Sequence, residues 1–213
     1  MTNPAKTPRG SGRLIAVEGI DGSGKSTVAA RLAEHLCAAG RPAVVLRPVA
    51  AGHPYLAGLR SAAELSGTAT AGILPGLDIY ALFLTYSFTG MVADEVIPAI
   101  ADGVTVVCDR YLSSHQVNQA VFGAELSALT PLMDVLPRPD RTLHLRIEPK
   151  NALERIEARG GAEGVFDRYE LLARAAAEFD VLLADEPGTR IVDAEAPIHA
   201  VLATSIAELD ALW

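Results

Sequence analysis

Short apolar runs alternate with longer amphipathic stretches along this chain. Five of the apolar runs have the length and the β-branched content of buried strands. They lie at Leu14–Val17, Ala43–Leu46, Val104–Cys108, Thr142–Ile147 and Arg190–Val192. Because helical periodicity fills the intervals, the pattern predicts an α/β fold in which helices flank a parallel sheet.

The sequence signals for the predicted helices differ in strength. One follows the first strand through Val28–Leu36, and the longest covers Leu77–Ala101, with a bend or an end expected near Pro98. A weaker signal covers Tyr55–Leu65, where glycine, proline and alanine are scattered on both sides. The sequence therefore predicts helices in every interval, with the least definition between the second strand and the long helix.

A glycine-rich break separates two further predicted helices, Asn151–Arg159 and Arg168–Leu183. Arginines flank the break on both sides. Such a segment is compatible with a mobile cover over an active site and also with a plain solvent loop.

A phosphate-binding motif links the first strand to the first helix. Residues 19–26 read Gly-x-x-x-x-Gly-Lys-Ser. The glycines allow a tight turn that aims backbone N–H groups at phosphate oxygens, and the helix adds the positive end of its dipole. Lys25 supplies a cation for the β- and γ-phosphates, and the Ser26 hydroxyl can hold Mg²⁺. The residues predicted to bind the triphosphate are Gly19, Asp21, Gly22, Ser23, Gly24, Lys25, Ser26 and Thr27.

A second polar motif ends the third apolar run, where Asp109 and Arg110 follow directly. In an open α/β sheet the carboxyl ends of the strands face the ligand crevice. Asp109 is therefore expected to approach the phosphates and Mg²⁺, and Arg110 to neutralise charge on a transferring phosphoryl group. The alternative is that Asp109 only caps the following helix.

The composition limits which cellular compartment and which binding partners are expected for this chain. The chain has 213 residues, half of them apolar, and a net charge of −8, which disfavours a broad nucleic-acid-binding surface. No apolar run reaches the length of a membrane span. Residues 1–12 are polar and predict a loose tail before a single domain at 13–213. Cys37 and Cys108 are expected as apolar core residues rather than a disulfide, which favours the cytoplasm.

Together these motifs resemble those of the thymidylate kinases. The matching segments are Glu18–Thr27, Asp109–Tyr111 with Ser114, Pro139–Leu145, Arg159–Glu170 and Ile191–Ala194. The resemblance implies a P-loop NTPase fold with a five-stranded parallel sheet and a lid at about residues 159–168. It also implies phosphoryl transfer from ATP and Mg²⁺ to a nucleoside monophosphate such as thymidylate, and a homodimer that forms through helices.

The resemblance assigns further roles. The implied catalytic residues are Lys25, Arg110, Arg159 and Arg168. Ser26 would be a magnesium ligand, Asp109 would act nearby through water, and Asp21 would lie near the sugar and phosphate of the acceptor. Since no basic residue lies between Gly19 and Gly24, the lid would have to supply the catalytic cation.

The acceptor half departs from the family's usual pattern. Arg47 follows the second strand without its usual acidic neighbour and paired glycines. Phe83 occupies the position of a base-stacking phenylalanine, whereas Ser87 stands where the family has an arginine that bonds the pyrimidine. Asn118-Gln119 replaces an aromatic residue followed by Gln, and His115 follows into the acceptor site. The residues predicted to bind the acceptor are Asp21, Arg47, Phe83, Ser87, Arg110, Tyr111, His115, Asn118 and Gln119.

Three interpretations therefore remain open. The chain is a thymidylate kinase, a related kinase of another nucleotide, nucleoside or small metabolite, or a nucleotide-dependent switch ATPase without an external acceptor. The arginine-flanked lid favours a kinase. A phosphate acceptor is already ionised, whereas a hydroxyl acceptor would need Asp21 or Asp109 to take its proton. The other histidines considered, His35, His144 and His199, are expected to be structural.

Overall fold

The computed structural model describes residues 12–49, 61, 64–65, 77–160 and 168–213. Its strands are β1 (Leu14–Glu18), β2 (Ala43–Leu46), β3 (Thr105–Asp109), β4 (Arg141–Arg146) and β5 (Thr189–Asp193). They form one parallel sheet in the order β2-β3-β1-β4-β5. The predicted α/β fold with a five-stranded parallel sheet is confirmed, and no predicted strand bound differs from the observed one by more than one residue.

Helices fill the intervals between these strands. The helices in the described part of the chain are α1 (Lys25–Ala38), α2 (Leu77–Met91), α3 (Ile97–Ala101), α4 (Leu112–Val121), α5 (Thr130–Asp134), α6 (Pro149–Ala158), α7 (Tyr169–Leu183) and α8 (Ile198–Asp210). The predicted helix Tyr55–Leu65 lies outside the described residues except at positions 61, 64 and 65. Of the predicted lid, only Arg159, Gly160 and Arg168 are described.

The predicted long helix Leu77–Ala101 is divided by a π-helical turn at Val92–Val96. Here the Ile97 N–H donates to the Val92 carbonyl, five residues back rather than four. Pro98 lies in the first turn of α3 and has no N–H of its own. Its ring also excludes the carbonyl four residues earlier, which belongs to this turn. Pro98 therefore accounts for the local widening of the helix.

β1 is the central strand and is buried along its whole length. Ile15 and Val17 pack in a cluster that includes α1, whereas Leu14 and Ala16 pack on the opposite face, in a cluster that includes Phe88 of α2. Because both faces are covered, the strand needs apolar residues at successive positions. Its carboxyl end and the loop that follows consequently lie at the middle of the sheet edge where ligands bind in open α/β folds.

The two cysteines differ in their surroundings. Cys108 is buried in β3, as predicted, and both cysteines are free thiols. The prediction that Cys37 belongs to the core is wrong, because this residue lies exposed in the last turn of α1. Its Sγ is 3.6 Å from the Ala43 carbonyl oxygen. Among the described residues, no helix is both long and apolar enough to cross a bilayer.

Trp213 is held by two arginines. The Arg13 and Arg41 guanidinium carbons lie 5.0 Å and 4.5 Å from the ring centroid of Trp213. A cation–π contact at an exposed site is worth about 0.5–1 kcal/mol. Trp213→Ala is therefore expected to lower the free energy of unfolding by about 1–2 kcal/mol in urea titrations. If the change costs as much in a variant that lacks both arginines, the stacking contributes nothing.

Candidate phosphate-binding cleft

A cleft of about 350 Å³ opens at the carboxyl ends of the central strands. It is formed by the loop between β1 and α1, by residues that follow β2 and β3, and by the end of α6. The lining residues are Asp21, Gly22, Gly24, Lys25, Ser26, Thr27, Arg47, Val49, Asp109, Arg110 and Arg159. The fold thus brings the glycine-rich motif together with the Asp-Arg motif, which lies more than 80 residues later in the sequence.

Close packing of the loop against α6 explains one of its glycines. Gly22 has a φ of 84°, and a Cβ atom at this position would lie 2.4 Å from the Ala152 carbonyl oxygen. A side chain here would therefore be strained and would also displace the helix. Since α6 ends next to Arg159, this contact fixes the distance between the phosphate loop and the first predicted lid arginine.

The Lys25 ammonium is held beneath the loop. Lys25 is 5 % exposed, its Nζ donates to the Ile20 carbonyl at 2.6 Å, and Asp21 Oδ1 lies 3.7 Å away. Burial, with the positive charge of Arg110, lowers the pKa of Lys25 to about 7. A phosphate anion in the cleft would oppose both effects and stabilise the ammonium form.

Nucleotide binding is expected to take up a proton. Above pH 7 the free protein increasingly holds Lys25 neutral, and a bound polyphosphate raises the pKa again, so affinity falls as the pH rises. Calorimetry at pH 8 in buffers of different ionisation enthalpy should show an uptake close to one proton. Lys25→Met should abolish this uptake, and equal uptake in both proteins would contradict the assignment.

Arg110 has a backbone conformation that is rare outside glycine, with a φ of 76°. Its Nη2 donates to Asp21 Oδ1, and its Nη1 lies 3.5 Å from both the Gly19 carbonyl oxygen and Ser114 Oγ. The left-handed turn directs the guanidinium back over the phosphate loop instead of along the strand. Arg110 and Asp21 therefore share one wall of the cleft.

Glu18 supports this turn, and its role was not predicted. It is fully buried at the end of β1, where one carboxylate oxygen accepts the Tyr111 N–H at 3.0 Å and the other accepts the Ser114 hydroxyl proton. Burial raises the pKa of Glu18, and these hydrogen bonds oppose that rise. The available sequence signal was an acidic residue that ends an otherwise apolar strand.

Tyr111, which was predicted to contact the acceptor, lies in the core. Its side chain has no exposed area, its ring makes an edge contact with Phe88 at 5.5 Å, and its hydroxyl donates to the Pro137 carbonyl at 3.0 Å. Because Arg110 is in the left-handed turn, the next side chain points inward. The structure therefore gives Tyr111 a packing role.

Asp109 faces Arg47 across the cleft. Asp109 is 5 % exposed, and its Oδ2 lies 2.9 Å from Arg47 Nε. No side chain of the described residues caps α4 through a hydrogen bond, so the alternative that Asp109 serves only as a helix cap does not hold. This contact joins a residue that follows β2 to the end of β3.

The cleft has oxygen ligands of the kind that Mg²⁺ prefers. Ser26 and Asp109 both line it, whereas the described residues contain no cluster of three or more His, Cys, Asp or Glu side chains that could hold a metal. Magnesium at nucleotide sites usually takes one or two protein ligands and completes its shell with phosphate oxygens and water. The two residues fit that mode of binding.

Three residues predicted to act at the donor phosphates do not line the cleft. The Ser23 N–H donates to the Ile20 carbonyl at 3.3 Å, and the Ser23 hydroxyl is buried with no hydrogen-bond partner among the described residues. Gly19 lies against β4, where an added Cβ would approach the Leu145 carbonyl oxygen to 2.6 Å. Arg168 is exposed immediately before α7. Gly19 and Ser23 therefore contribute to the conformation of the loop on the side that faces away from the cleft.

The residues predicted to recognise the acceptor base lie between α2 and α4. The Ser87 hydroxyl donates to the Phe83 carbonyl at 2.9 Å, and Ser87 is only 4 % exposed. His115 stacks on Phe88 at 4.9 Å, and its Nε2 lies 2.9 Å from Thr85 Oγ1. Since the Thr85 hydroxyl donates to its own helix, His115 Nε2 is the donor in this contact. Burial lowers the pKa of His115 to about 4, so the ring is neutral.

The other residues predicted to bind the acceptor also lie outside the cleft. Gln119 is buried and Asn118 is half-buried on α4. Phe83 is half-buried on α2. None of these residues lines the phosphate cleft. Among the predicted acceptor residues, the cleft contains Asp21, Arg47 and Arg110.

Comparison with known proteins agrees with this geometry. Residues 17–204 match the family model described as Thymidylate kinase. A thymidylate kinase of Xanthomonas campestris pv. campestris is 38 % identical over 191 residues, which cover 90 % of this chain and 80 % of that protein. The corresponding protein of Xanthomonas oryzae pv. oryzae matches with the same identity and coverage. A thymidylate kinase of Xylella fastidiosa is 35 % identical over 195 residues, 91 % of this chain and 88 % of that protein.

The family match spans both motifs of the cleft and all of the sheet except the first three residues of β1. The sheet order, the phosphate loop after the central strand and the Asp-Arg pair after its neighbour are the features of a P-loop phosphotransferase. The chain is such an enzyme, and it belongs to the thymidylate kinase family.

Proposed function

We propose that this chain acts in the cytoplasm and transfers the γ-phosphoryl group of ATP to the phosphate of thymidylate or a closely related nucleoside monophosphate. One observation carries the proposal: Lys25, Asp109 and Arg110 meet at one cleft of about 350 Å³. The names of the bacterial relatives support the choice of acceptor.

The donor phosphates would lie on the loop at the start of α1. Backbone N–H groups from Gly24 to Thr27 begin the helix and have no intrahelical partners there. Lys25 would add a compact positive charge near the β- and γ-phosphates. Mg²⁺, held by Ser26 and Asp109 together with phosphate oxygens, would neutralise charge on the transferring group when bound.

Transfer would depend on positioning and charge rather than on a base. An acceptor phosphate is ionised at neutral pH, so no side chain needs to remove a proton. Arg110 stands beside the loop, and Arg159 faces it from the end of α6. Both would stabilise the charge that spreads over the equatorial oxygens of the moving group. Arg47, whose side chain is 58 % exposed, can reach an incoming acceptor phosphate.

The second candidate function is phosphoryl transfer to an acceptor other than thymidylate. The observation that favours it is the composition of α2, which contains no Lys, Arg, His, Asn or Gln. Beyond Asp78 at the start of the helix, a base edge would therefore meet hydroxyls and apolar atoms, whereas a charged bidentate partner gives strong discrimination. An arginine in place of Ser87 would not restore that partner, because position 87 is 4 % exposed and would bury the charge.

A panel of acceptors tests the proposal. Values of kcat/KM should be measured with ATP for dTMP, dUMP, dCMP, dGMP and thymidine. We expect dTMP to be the best acceptor and thymidine to be inert. A preference of more than about tenfold for another monophosphate would favour the changed acceptor, and phosphorylation of thymidine but not dTMP would contradict the proposal.

We also propose that the chain forms a homodimer through α2. Ile79, Leu82 and Tyr86 share one face of this helix and are 45 %, 42 % and 65 % exposed. Light scattering with size exclusion should give twice the 22.4 kDa chain mass, and Leu82→Glu should return it to the monomer. Val181→Glu, at a 78 % exposed site on α7, is the matched control. A monomeric wild-type protein would contradict the proposal.

A further inference from the structure

Glu18 is a buried carboxylate that the proposed transfer does not use directly. It occupies the last position of β1 and has no exposed area, and it is not among the residues that line the phosphate cleft. Taking a carboxylate out of water is unfavourable unless hydrogen bonds or an opposite charge compensate for it. The contacts that compensate for the buried charge therefore indicate what Glu18 does.

The Glu18 side chain takes the place of a backbone acceptor where the ladder between β1 and β3 ends. Val17 and Asp109 form the last cross-strand pair, and the Arg110 N–H donates to the Val17 carbonyl at 3.1 Å. The next N–H, that of Tyr111, donates to a carboxylate oxygen of Glu18 at 3.0 Å. Because β1 holds the N–H groups on both sides of the Arg110 Cα, it stabilises the unfavourable φ of 76° at this residue.

Ser114 connects the same carboxylate to the Arg110 guanidinium. The second oxygen of Glu18 accepts the Ser114 hydroxyl proton, and Ser114 is fully buried. Ser114 Oγ lies 3.5 Å from Arg110 Nη1. Since the hydroxyl proton points toward Glu18, the oxygen presents its lone pairs to the guanidinium. The carboxylate thus acts on both the backbone and the head group of Arg110.

The hydrogen-bond polarity of this site requires a carboxylate. A glutamine in the same place would have one acceptor and one donor group. If its oxygen accepted the Tyr111 N–H, its NH₂ group would face Ser114 Oγ and turn the hydroxyl proton toward Arg110, where two donors would meet. If the amide were flipped, its NH₂ group would face the Tyr111 N–H. Only a carboxylate accepts at both positions.

We propose that Glu18 is a positioning residue for phosphoryl transfer and that it acts through Arg110. It holds the left-handed turn by way of the Tyr111 N–H and the guanidinium by way of the Ser114 hydroxyl, so that the guanidinium stays over the phosphate loop. This inference rests on the proposed function, because it concerns the orientation of a group that acts on the moving phosphoryl group. A displacement of about 1 Å in such a group can lower the rate by about 10²-fold.

Glu18→Gln tests the polarity at nearly constant size. With labelled ATP and dTMP, kcat should fall by about 10–100-fold, whereas the Kd for ADP from calorimetry should change by less than about twofold. Asp140→Asn is the matched control, because the Asp140 carboxylate accepts the Leu14 N–H at 2.9 Å at the opposite end of β1. It should keep kcat within about twofold of the wild-type value. An unchanged kcat in Glu18→Gln, or an equal loss of ADP affinity, would overturn the inference.

A double-mutant cycle separates positioning from a general structural role. Arg110→Ala removes the group that Glu18 is proposed to orient. In this background Glu18→Gln should therefore lower kcat by no more than about twofold. A loss close to that in the wild-type background would show that Glu18 acts independently of the guanidinium and would overturn the inference.

Ser114→Ala covers the case in which Glu18→Gln fails to fold. It removes the link to the guanidinium, so kcat should fall by about fivefold, the effect of one hydrogen bond. Ser205→Ala is the matched control, because Ser205 is equally buried and its hydroxyl donates to the Val201 carbonyl within α8 at 2.8 Å. Equal kcat values in the two serine variants would overturn the inference.

The wild-type protein distinguishes this inference from the proposed function. If it labels a monophosphate and Glu18→Gln does so at the same rate, only the positioning role of Glu18 fails. If the wild type labels no monophosphate, the proposed function fails and this inference fails with it.

Discussion

Lys25→Met is expected to lower kcat by about 10³-fold while the fold remains intact. The reason lies in the position of the ammonium. Lys25 is oriented by the Ile20 carbonyl and lies within 3.7 Å of Asp21 at the base of the cleft. It is the one lysine among the residues that line the cleft in the described part of the chain. Methionine keeps the length of the side chain and removes only the charge and the donors.

The same variant separates catalysis from stability. In the free protein, burial lowers the pKa of Lys25 to about 7, which means that the folded state disfavours the charged form. At or below pH 7 the native protein bears the cost of this desolvated charge, and the cost declines as the pH rises toward the unfolded pKa of lysine. Lys25→Met should therefore have an unfolding free energy at pH 7 equal to or greater than that of the wild type.

Lys150→Met is the control, because Lys150 is exposed at the start of α6 and does not line the cleft. It should keep nearly normal turnover. Substantial activity in Lys25→Met, or a comparable loss in both variants, would contradict the role of the ammonium in transfer.

Arg110→Ala is expected to lower kcat/KM by about 10²–10³-fold. The guanidinium is held over the loop by Asp21 and lies beside Ser114, within the wall that faces the phosphates. Its loss removes charge stabilisation for the moving phosphoryl group and leaves Asp21 paired with the Lys25 ammonium alone among the described residues. Steady-state assays with varied ATP and varied acceptor would show whether kcat/KM falls for ATP, for the acceptor or for both.

Arg110→Gly distinguishes the guanidinium from the backbone. Glycine accepts a φ of 76° without strain, whereas alanine keeps the Cβ and the strain of the native residue. Both variants should lose activity to a similar extent, and Arg110→Gly should be the more stable of the two. If Arg110→Gly keeps most of the wild-type activity, the guanidinium is not required and the assignment is wrong.

The strands and the donor motifs could be predicted because their signals are local. β1 and β3 are continuous apolar runs, as expected of strands buried on both faces. The glycine-rich loop has fixed spacing, and the carboxyl ends of parallel strands meet at one edge, so Asp109 could be placed near Lys25 in advance.

The acceptor side could not be predicted in the same way because it depends on tertiary packing. Tyr111 points into the core since Arg110 adopts a left-handed turn, and that turn is stabilised by Glu18 from a different strand. Ser87 and His115 are buried by the contact of α2 with α4. No periodicity or motif in the sequence specifies these distant pairings.

His144 is a further residue whose surroundings could not be predicted from the sequence. The sequence predicted a structural histidine within a strand, and its ring is indeed buried against Phe179. That the imidazole lines a solvent-open groove beside α7 follows only from the packing of α7 against β4 and β5. Burial can be read from a sequence pattern, whereas the groups that surround a buried ring require coordinates.

The most direct test follows the phosphoryl group itself. ATP labelled at the γ-phosphate should be incubated with the protein, Mg²⁺ and dTMP, and the products should be separated. The proposed function predicts label in dTDP, ADP formation that depends on dTMP, and loss of both in Lys25→Met. Label released as inorganic phosphate at the same rate with and without a monophosphate acceptor would contradict it and would indicate an ATPase.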